Sequence, residues 1–291
     1  MKKLWVTGAS GFLGWHLCQL TKQSWAVWGA YWTQSIETPE INLVQLDLTD
    51  YPAVKRAFKQ IQPDAVIHTA AQSKPNFCQT HPDETYPINV TASVNLANLC
   101  AEAAIPYVFT STDLVFDGRN PPYREADPMC PINHYGEQKA IAEDEILRAY
   151  PQAAICRMPL MFGAKTPTAQ SFLQPWLKTL RAGKPLKLFT DEFRTPISAN
   201  TAATGLLLAL NKVNGRLHLG GHDTISRFEF GRLLAEAGQF SPHQLQPCLQ
   251  QDMPMPAPRP KNVSMDSAKA FALGYAPPQL KPELAKIVGR G

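Results

Sequence analysis

Two Tyr-x-x-x-Lys pairs stand in the chain, Tyr51–Lys55 and Tyr135–Lys139. On a helix, residues i and i+4 share a face, so each lysine would sit beside its tyrosine. A neighbouring positive charge favours the phenolate and lowers a pKa that is about 10 when unperturbed. A phenol tuned in this way can exchange a proton with a carbonyl oxygen. That is the proton chemistry a carbonyl reductase needs beside its hydride donor. Context separates the two pairs. Tyr51–Lys55 follows a strand candidate at the far side of the expected cofactor cleft and reads as surface helix. Tyr135–Lys139 opens a helix candidate and is preceded by Ser111-Thr112-Asp113, which closes another strand. In a doubly wound sheet, ligands bind outside the carboxyl ends of the strands. Thr112 can therefore hydrogen-bond the oxygen that Tyr135 serves, and Thr112, Tyr135 and Lys139 are the catalytic candidates.

A second constellation lies at the start of the chain, where Thr7-Gly8-Ala9-Ser10-Gly11-Phe12-Leu13-Gly14 follows the first apolar run directly. Gly8 permits a tight turn, Gly11 permits close approach to a pyrophosphate, and Gly14 lets the following helix pack on the strand. The helix start then offers free N–H groups to phosphates. Three glycines alone are weak evidence. Their place at the first strand-to-helix junction makes Gly8, Ser10, Gly11, Phe12, Leu13 and Gly14 cofactor-binding candidates.

The elements that must hold these groups are legible as alternating runs. Strand candidates rich in Val, Ile and aromatics are Lys3–Thr7, Trp25–Trp32, Leu43–Leu48, Ala65–Thr69, Tyr107–Thr110 and Ala154–Arg157. Helix candidates open at Gly11 and after Asp50, and cover about Glu84–Ala103 and Tyr135–Ala149. This spacing predicts βαβ units, hence an α/β chain with a Rossmann-type doubly wound parallel sheet. Residues 1–160 form the expected NAD(P)-binding domain. Residues 161–291 form a smaller, mainly substrate-binding region, with helix candidates at Ser171–Ala182, Thr201–Leu210 and Phe228–Ala237. A late strand near 215–220 is placed to return to the sheet. Nine of the 26 prolines fall between Pro242 and Pro282, so Ser241–Lys261 is expected to be irregular.

The glycine loop resembles the T-G-x-x-G-x-x-G of the extended short-chain dehydrogenase/reductase family. Asp47-Leu48, His68-Thr69-Ala70-Ala71 and Asn89-Val90 match further motifs of that family in order and spacing. The stretch Thr110-Ser111-Thr112-Asp113-Leu114-Val115-Phe116-Asp117-Gly118 is similar to the S-T-D-x-V-F-D-G segment of dTDP-4-dehydrorhamnose reductases. Pro122-Tyr123-Arg124-Glu125 and Asn133–Lys139 resemble the same group. The resemblance implies that Tyr31, Trp32, Asp47, Leu48, Thr69, Ala70, Ala71, Tyr135 and Lys139 also line the cofactor site, and that Asp113 and Arg194 meet the substrate. It implies a nicotinamide cofactor, with NADP(H) favoured over NAD(H) because Tyr31-Trp32-Thr33 stands where NAD-retaining epimerases carry an acid. The implied reaction is reduction of a 4-keto-6-deoxy nucleotide sugar. Dehydratases place Glu where this chain has Leu114, which argues against that chemistry. Phe193-Arg194-Thr195-Pro196-Ile197 departs from the rhamnose enzymes and looks more like the broader epimerase/reductase group. Two alternatives stand beside the reductase: a nucleotide-sugar epimerase, and a non-enzymatic NADP-binding regulatory subunit similar to the β-subunit of methionine adenosyltransferase.

Composition narrows the remaining classes. The chain has 291 residues, 44% of them apolar and 18% charged, with a formal charge of +4. It is too apolar to be disordered. The charge excess, without a Lys/Arg cluster, is no nucleic-acid footprint. Its longest aliphatic stretch, Leu206–Leu210, is far short of a membrane span. The six cysteines are scattered, so neither a disulfide framework nor a zinc site is expected. His218 and His222 flank Gly220-Gly221 and suggest no metal site. The apolar run after Met1-Lys2-Lys3 ends at Thr7-Gly8, too soon for a signal peptide. A full-length cytoplasmic protein, compatible with a homodimer, is the expectation.

Overall fold

The computed structural model describes residues 1–36 and 38–289. Its centre is a sheet of seven strands. In chain order these are β1 (Lys3–Thr7), β2 (Ala26–Tyr31), β3 (Asn42–Gln45), β4 (Ala65–His68), β5 (Tyr107–Thr112), β6 (Ala154–Met158) and β7, the late strand Gly215–His218. The spatial order is β7-β6-β5-β4-β1-β2-β3, and every neighbouring pair is parallel. The order reverses between β1 and β4. A crevice opens there, beyond the carboxyl ends of the strands. The expected α/β, doubly wound parallel architecture is the one observed.

Helices cover both faces, which is why the central strands read as continuous apolar runs. On one face, α1 (Phe12–Thr21) packs with the later helix Ala199–Lys212 over Leu4, Val6, Ile67 and Val108. On the other, α2 (Tyr51–Ile61), α5 (Ala92–Glu102) and α6 (His134–Ala149) cover Trp5, Val66, Phe109 and Ile155. A separate apolar core joins the helices Leu173–Arg181, Arg227–Ala237 and Leu280–Val288. Leu177, Leu188, Phe230, Leu234 and Leu284 meet there. No helix among the described residues is long and apolar enough to cross a membrane.

Several boundaries differ from the sequence expectation. The helix expected over Glu84–Ala103 is broken. After α3 (Pro75–Thr80), α4 (Pro82–Tyr86) leads into a π-helical turn, Pro87–Thr91, before α5. Pro87 has no N–H to give and its ring crowds the preceding turn, so the helix widens there. β3 ends at Gln45, earlier than expected, because Asp47 folds the chain over by accepting from the Thr49 N–H (2.8 Å) and hydroxyl (2.7 Å). β5 runs two residues further than expected, since Ser111 and Thr112 stay paired with Arg157 and Met158. The proline-rich segment is not wholly irregular. Leu245–Cys248 pairs in parallel with Leu186–Phe189, and Pro247, lacking an N–H, is accommodated in this two-stranded sheet.

Candidate active site

One cleft of about 1560 Å³ lies along the carboxyl ends of the strands. All the residues proposed from sequence line it: Gly8, Ser10, Gly11, Phe12, Leu13, Gly14, Tyr31, Trp32, Asp47, Leu48, Thr69, Ala70, Ala71, Thr112, Asp113, Tyr135, Lys139 and Arg194. Neither Tyr51 nor Lys55 does.

At one end is the glycine loop. Gly11 donates to the Gly8 carbonyl (2.8 Å), which tightens the turn, and Gly11 caps α1. A Cβ on Gly14 would lie 2.1 Å from that same carbonyl oxygen, so only glycine lets α1 start this close to β1. No acidic residue occupies the first turn of α1, leaving its N–H groups and positive dipole end open to an anion. This cradle fits the pyrophosphate of a dinucleotide. Trp32 is 55% exposed beside Asp47 and offers a flat apolar face at the mouth.

His68 does not line the cleft. It is fully buried beneath the loop and ties three elements together. Its Nδ1 pairs with Thr7 Oγ1 (2.6 Å) and its Nε2 with Ser93 Oγ (3.0 Å). Since Ser93 donates onward to the Asn89 carbonyl (3.0 Å), the network assigns the proton to Nε2. Burial pushes the imidazole pKa down to about 3, with the charge of Lys139 adding to the effect. His68 is a neutral strut under the switch point.

The middle of the cleft holds Thr112, Tyr135 and Lys139. Asn133 caps α6 by accepting from the Gly136 N–H (2.9 Å), and its amide donates to the Pro258 carbonyl (3.1 Å). The proline-rich segment thereby helps fix the helix start. A Cβ on Gly136 would lie 2.1 Å from the Leu114 carbonyl oxygen. The first turn of α6 is therefore pressed onto the turn that follows Thr112, which brings Tyr135 to the end of β5. Asn89, in the π-helical turn, donates to Gln138 Oε1 (2.8 Å) and accepts from the Gln72 N–H (2.9 Å). It clamps the loop after β4 to α6.

Electrostatics correct one expectation. The sequence suggested that Lys139 would lower the Tyr135 pKa. In the fold, burial dominates and raises the Tyr135 pKa, with contributions from Cys78 and Asp113. Burial likewise pushes Lys139 down to about 7, against the field of Glu143 one turn along α6. Tyr135 is thus held as the protonated phenol, the form that can donate.

The far end is built by residues that sequence reasoning largely missed. Arg194 is buried and pairs with two carboxylates, Asp113 (3.4 Å) and Glu192 (3.6 Å). Burial raises the Asp113 pKa to about 6 even though Arg194 opposes it. Arg227 lies 4.2 Å over the Phe172 ring and 4.7 Å from that of Trp176, and reaches Glu192 at 3.9 Å. Arg227 Nη1 and Arg259 Nε are buried without a hydrogen-bond partner among the described residues. Both arginines line the cleft, so their spare donors are available to an anion. The Ser226/Glu229 capping box marks the helix start in sequence, but nothing local shows that Arg227, just inside it, faces a cleft.

A family model described as the RmlD substrate binding domain matches residues 1–290. The probable low-salt glycan biosynthesis reductase Agl14 of Haloferax volcanii is 32% identical over 97% of this chain and 96% of its own length. Methionine adenosyltransferase 2 subunit beta of Xenopus laevis is 30% identical over 92% of this chain and 81% of its own. The crystal structure of dTDP-4-dehydrorhamnose reductase from Bacillus anthracis, in complex with NADP, shares the fold with a TM-score of 0.86 at 21% identity, covering 100% of both chains. The chain belongs to the RmlD substrate-binding domain family, the dTDP-4-dehydrorhamnose reductase-like group of the NAD-dependent epimerase/dehydratase superfamily.

Proposed function

We propose that this chain is an NAD(P)H-dependent reductase of the 4-keto group of a 4-keto-6-deoxy sugar carried on a nucleoside diphosphate. The observation that carries the reading is the order of groups along one cleft. A pyrophosphate cradle stands at one end, a protonated tyrosine beside a lysine and a threonine at the centre, and unpartnered arginine donors at the other end. Pockets for a single small ligand measure about 300–1,000 Å³. A cleft of about 1560 Å³ has room for a dinucleotide and a nucleotide sugar together.

The bound cofactor supplies the hydride. The residues of the chain do the rest. The Tyr135 hydroxyl gives its proton to the carbonyl oxygen as charge develops there, and Thr112 donates a hydrogen bond to the same oxygen. Within the site, Thr112 Oγ1 donates to Asp113 Oδ1 (3.3 Å) and accepts from the Leu114 N–H (3.2 Å). Its hydroxyl hydrogen is therefore free to swing from Asp113 to a substrate. Lys139 places a positive charge beside the reacting oxygen and the nicotinamide ribose. Arg227 and Arg259 take the diphosphate, while Asp113 and Arg194 border the sugar. NADP(H) is the preferred cofactor, because Tyr31-Trp32-Thr33 at the end of β2 puts no acid where it would repel a 2′-phosphate. The six free cysteines fit a reducing cytoplasm.

The test follows oxidation of NADPH with a panel of nucleotide-linked 4-ketosugars. Wild-type protein turns over at least one of them, and Tyr135→Phe loses about 10²–10⁴-fold in kcat while still binding NADPH. Turnover by Tyr135→Phe at the wild-type rate contradicts the reading. The likeness to methionine adenosyltransferase β-subunits supports a second reading, a cofactor-binding regulatory subunit. It predicts NADPH binding, no turnover of any ketosugar, and a stable complex with a methionine adenosyltransferase catalytic subunit.

A further inference from the structure

Lys139 has an unusual place for a cation. It is 1% exposed, yet no carboxylate lies within ion-pair distance of it and its ammonium donates no hydrogen bond among the described residues. An aromatic face lies against it: Lys139 Nζ stands 3.8 Å from the centroid of the Phe109 ring. Phe109 is itself fully buried on β5. Side chains alternate along a strand, so Tyr107, Phe109 and Ser111 all face the α6 side. Phe109 also stacks with the His68 imidazole, with centroids 5.8 Å apart and planes 20° from parallel.

Of the other groups around Lys139, Glu143 gives its charge the most support, through its field along α6. On α3, burial raises the Cys78 pKa and keeps the thiol neutral. On β4, His68 is neutral for the reason given above. On α6, Tyr135 is a neutral phenol. Glu143, also on α6, is ionised, and it is shared: it accepts from Arg157 Nε (3.0 Å) and Nη2 (2.8 Å) and from Arg216 Nε (2.8 Å). Two guanidinium groups therefore occupy both carboxylate oxygens, and Glu143 acts on Lys139 only through its field, from beyond ion-pair distance.

We infer that Phe109 is a positioning residue of the reductase site, whose ring face holds the Lys139 side chain in place and keeps its ammonium charged inside the cleft. An aromatic face attracts a desolvated ammonium more strongly than an exposed one. Burial alone would drive Lys139 toward the neutral amine, which has no charge to place beside Tyr135. The bearing on catalysis rests on the reductase reading above. The bearing on Lys139 does not.

The experiment replaces Phe109 with 4-fluoro-, 3,5-difluoro- and 3,4,5-trifluorophenylalanine. Fluorine drains the negative ring face while leaving shape and apolarity nearly unchanged. The readout is the Lys139 titration, followed by NMR of [ε-¹³C]lysine in the ligand-free full chain, with Lys139→Arg used only to assign the signal. The expected result is a stepwise fall of the Lys139 pKa, reaching about 1 unit with three fluorines. Phe109→Leu, which removes the ring but keeps an apolar side chain, shifts it at least as far. A Lys139 titration that stays put across the fluorinated series overturns the inference, as does a leucine variant with the wild-type titration. In activity assays, the alkaline limb of kcat moves to lower pH in step with the NMR titration. A moving NMR titration without any ketosugar turnover supports the role of Phe109 and counts against the reductase reading instead.

Discussion

Gly14→Ala adds one methyl group, and the fold has no room for it. The new Cβ would sit 2.1 Å from the Gly8 carbonyl oxygen, 2.7 Å from the Gly8 carbonyl carbon and 2.9 Å from Thr69 Oγ1. Ordinary contact needs roughly 1 Å more, and two of the three atoms are backbone, so the start of α1 must move away from the loop. The Gly8 oxygen is also the acceptor that closes the turn with the Gly11 N–H (2.8 Å). Moving it misaligns the N–H groups that would meet a pyrophosphate. Losing two charge-assisted hydrogen bonds at about 1.5 kcal/mol each weakens NADPH binding about 100-fold. Overpacking costs a further 1–3 kcal/mol or so of stability, which lowers Tm by several degrees. Fluorescence titration with NADPH and thermal unfolding measure both. The control is Gly183→Ala, where φ is +68° and no atom of the described residues lies within 4 Å of the new Cβ. It pays about 1 kcal/mol of backbone strain and leaves NADPH affinity unchanged. Wild-type NADPH affinity in Gly14→Ala would refute the assignment of the loop.

Asp113 is raised to about 6 by burial, above its unfolded value, so its contribution is full below about pH 4 and lost as pH rises through 6. Urea midpoints should therefore show Asp113→Asn gaining up to about 3 kcal/mol on wild type between pH 4 and pH 7, with no further gain above. A constant difference across that range would contradict the burial argument. Arg157→Met strips the fully buried Glu143 of its bidentate partner and should cost about 3–5 kcal/mol in urea unfolding. Combining it with Glu143→Leu should recover a large part of that loss, and strict additivity would show the pair to be uncoupled. Arg227→Met removes a buried donor that has no partner among the described residues, and should raise KM for the nucleotide sugar about 10–100-fold while NADPH affinity holds. A change confined to NADPH affinity would place the anion site at the wrong end of the cleft.

The parts of the site legible in the sequence are those written in short-range spacing. Gly8, Gly11 and Gly14 all fall within seven residues of the end of β1, and Tyr135 and Lys139 are one helical turn apart. Local chemistry fixes both patterns, and the fold only has to bring them to the same sheet edge. Arg227 and Arg259 were illegible because their role depends on where two distant segments meet Glu192. Their spare donors are a property of the assembled cleft, not of a motif. The break before α5 was half legible. Pro87 is visible, but Asn89 reaching to both Gln72 and Gln138 is a tertiary arrangement that stabilises a π-helical turn over a clean helix end. The Tyr135 pKa went the other way from the motif argument because burial, which a spacing pattern does not report, is the dominant cause and raises it.

The proposed reaction is hydride transfer to a sugar carbonyl with Tyr135 as proton donor. Its most direct test uses NADPH deuterated at C4 of the nicotinamide, a nucleotide-linked 4-keto-6-deoxy sugar, and mass spectrometry with NMR of the product. The wild-type reaction should place one deuterium at C4 of the sugar, and Tyr135→Phe almost none over the same time. Cofactor that binds tightly while no deuterium reaches any ketosugar, or equal labelling by the phenylalanine variant, would contradict it.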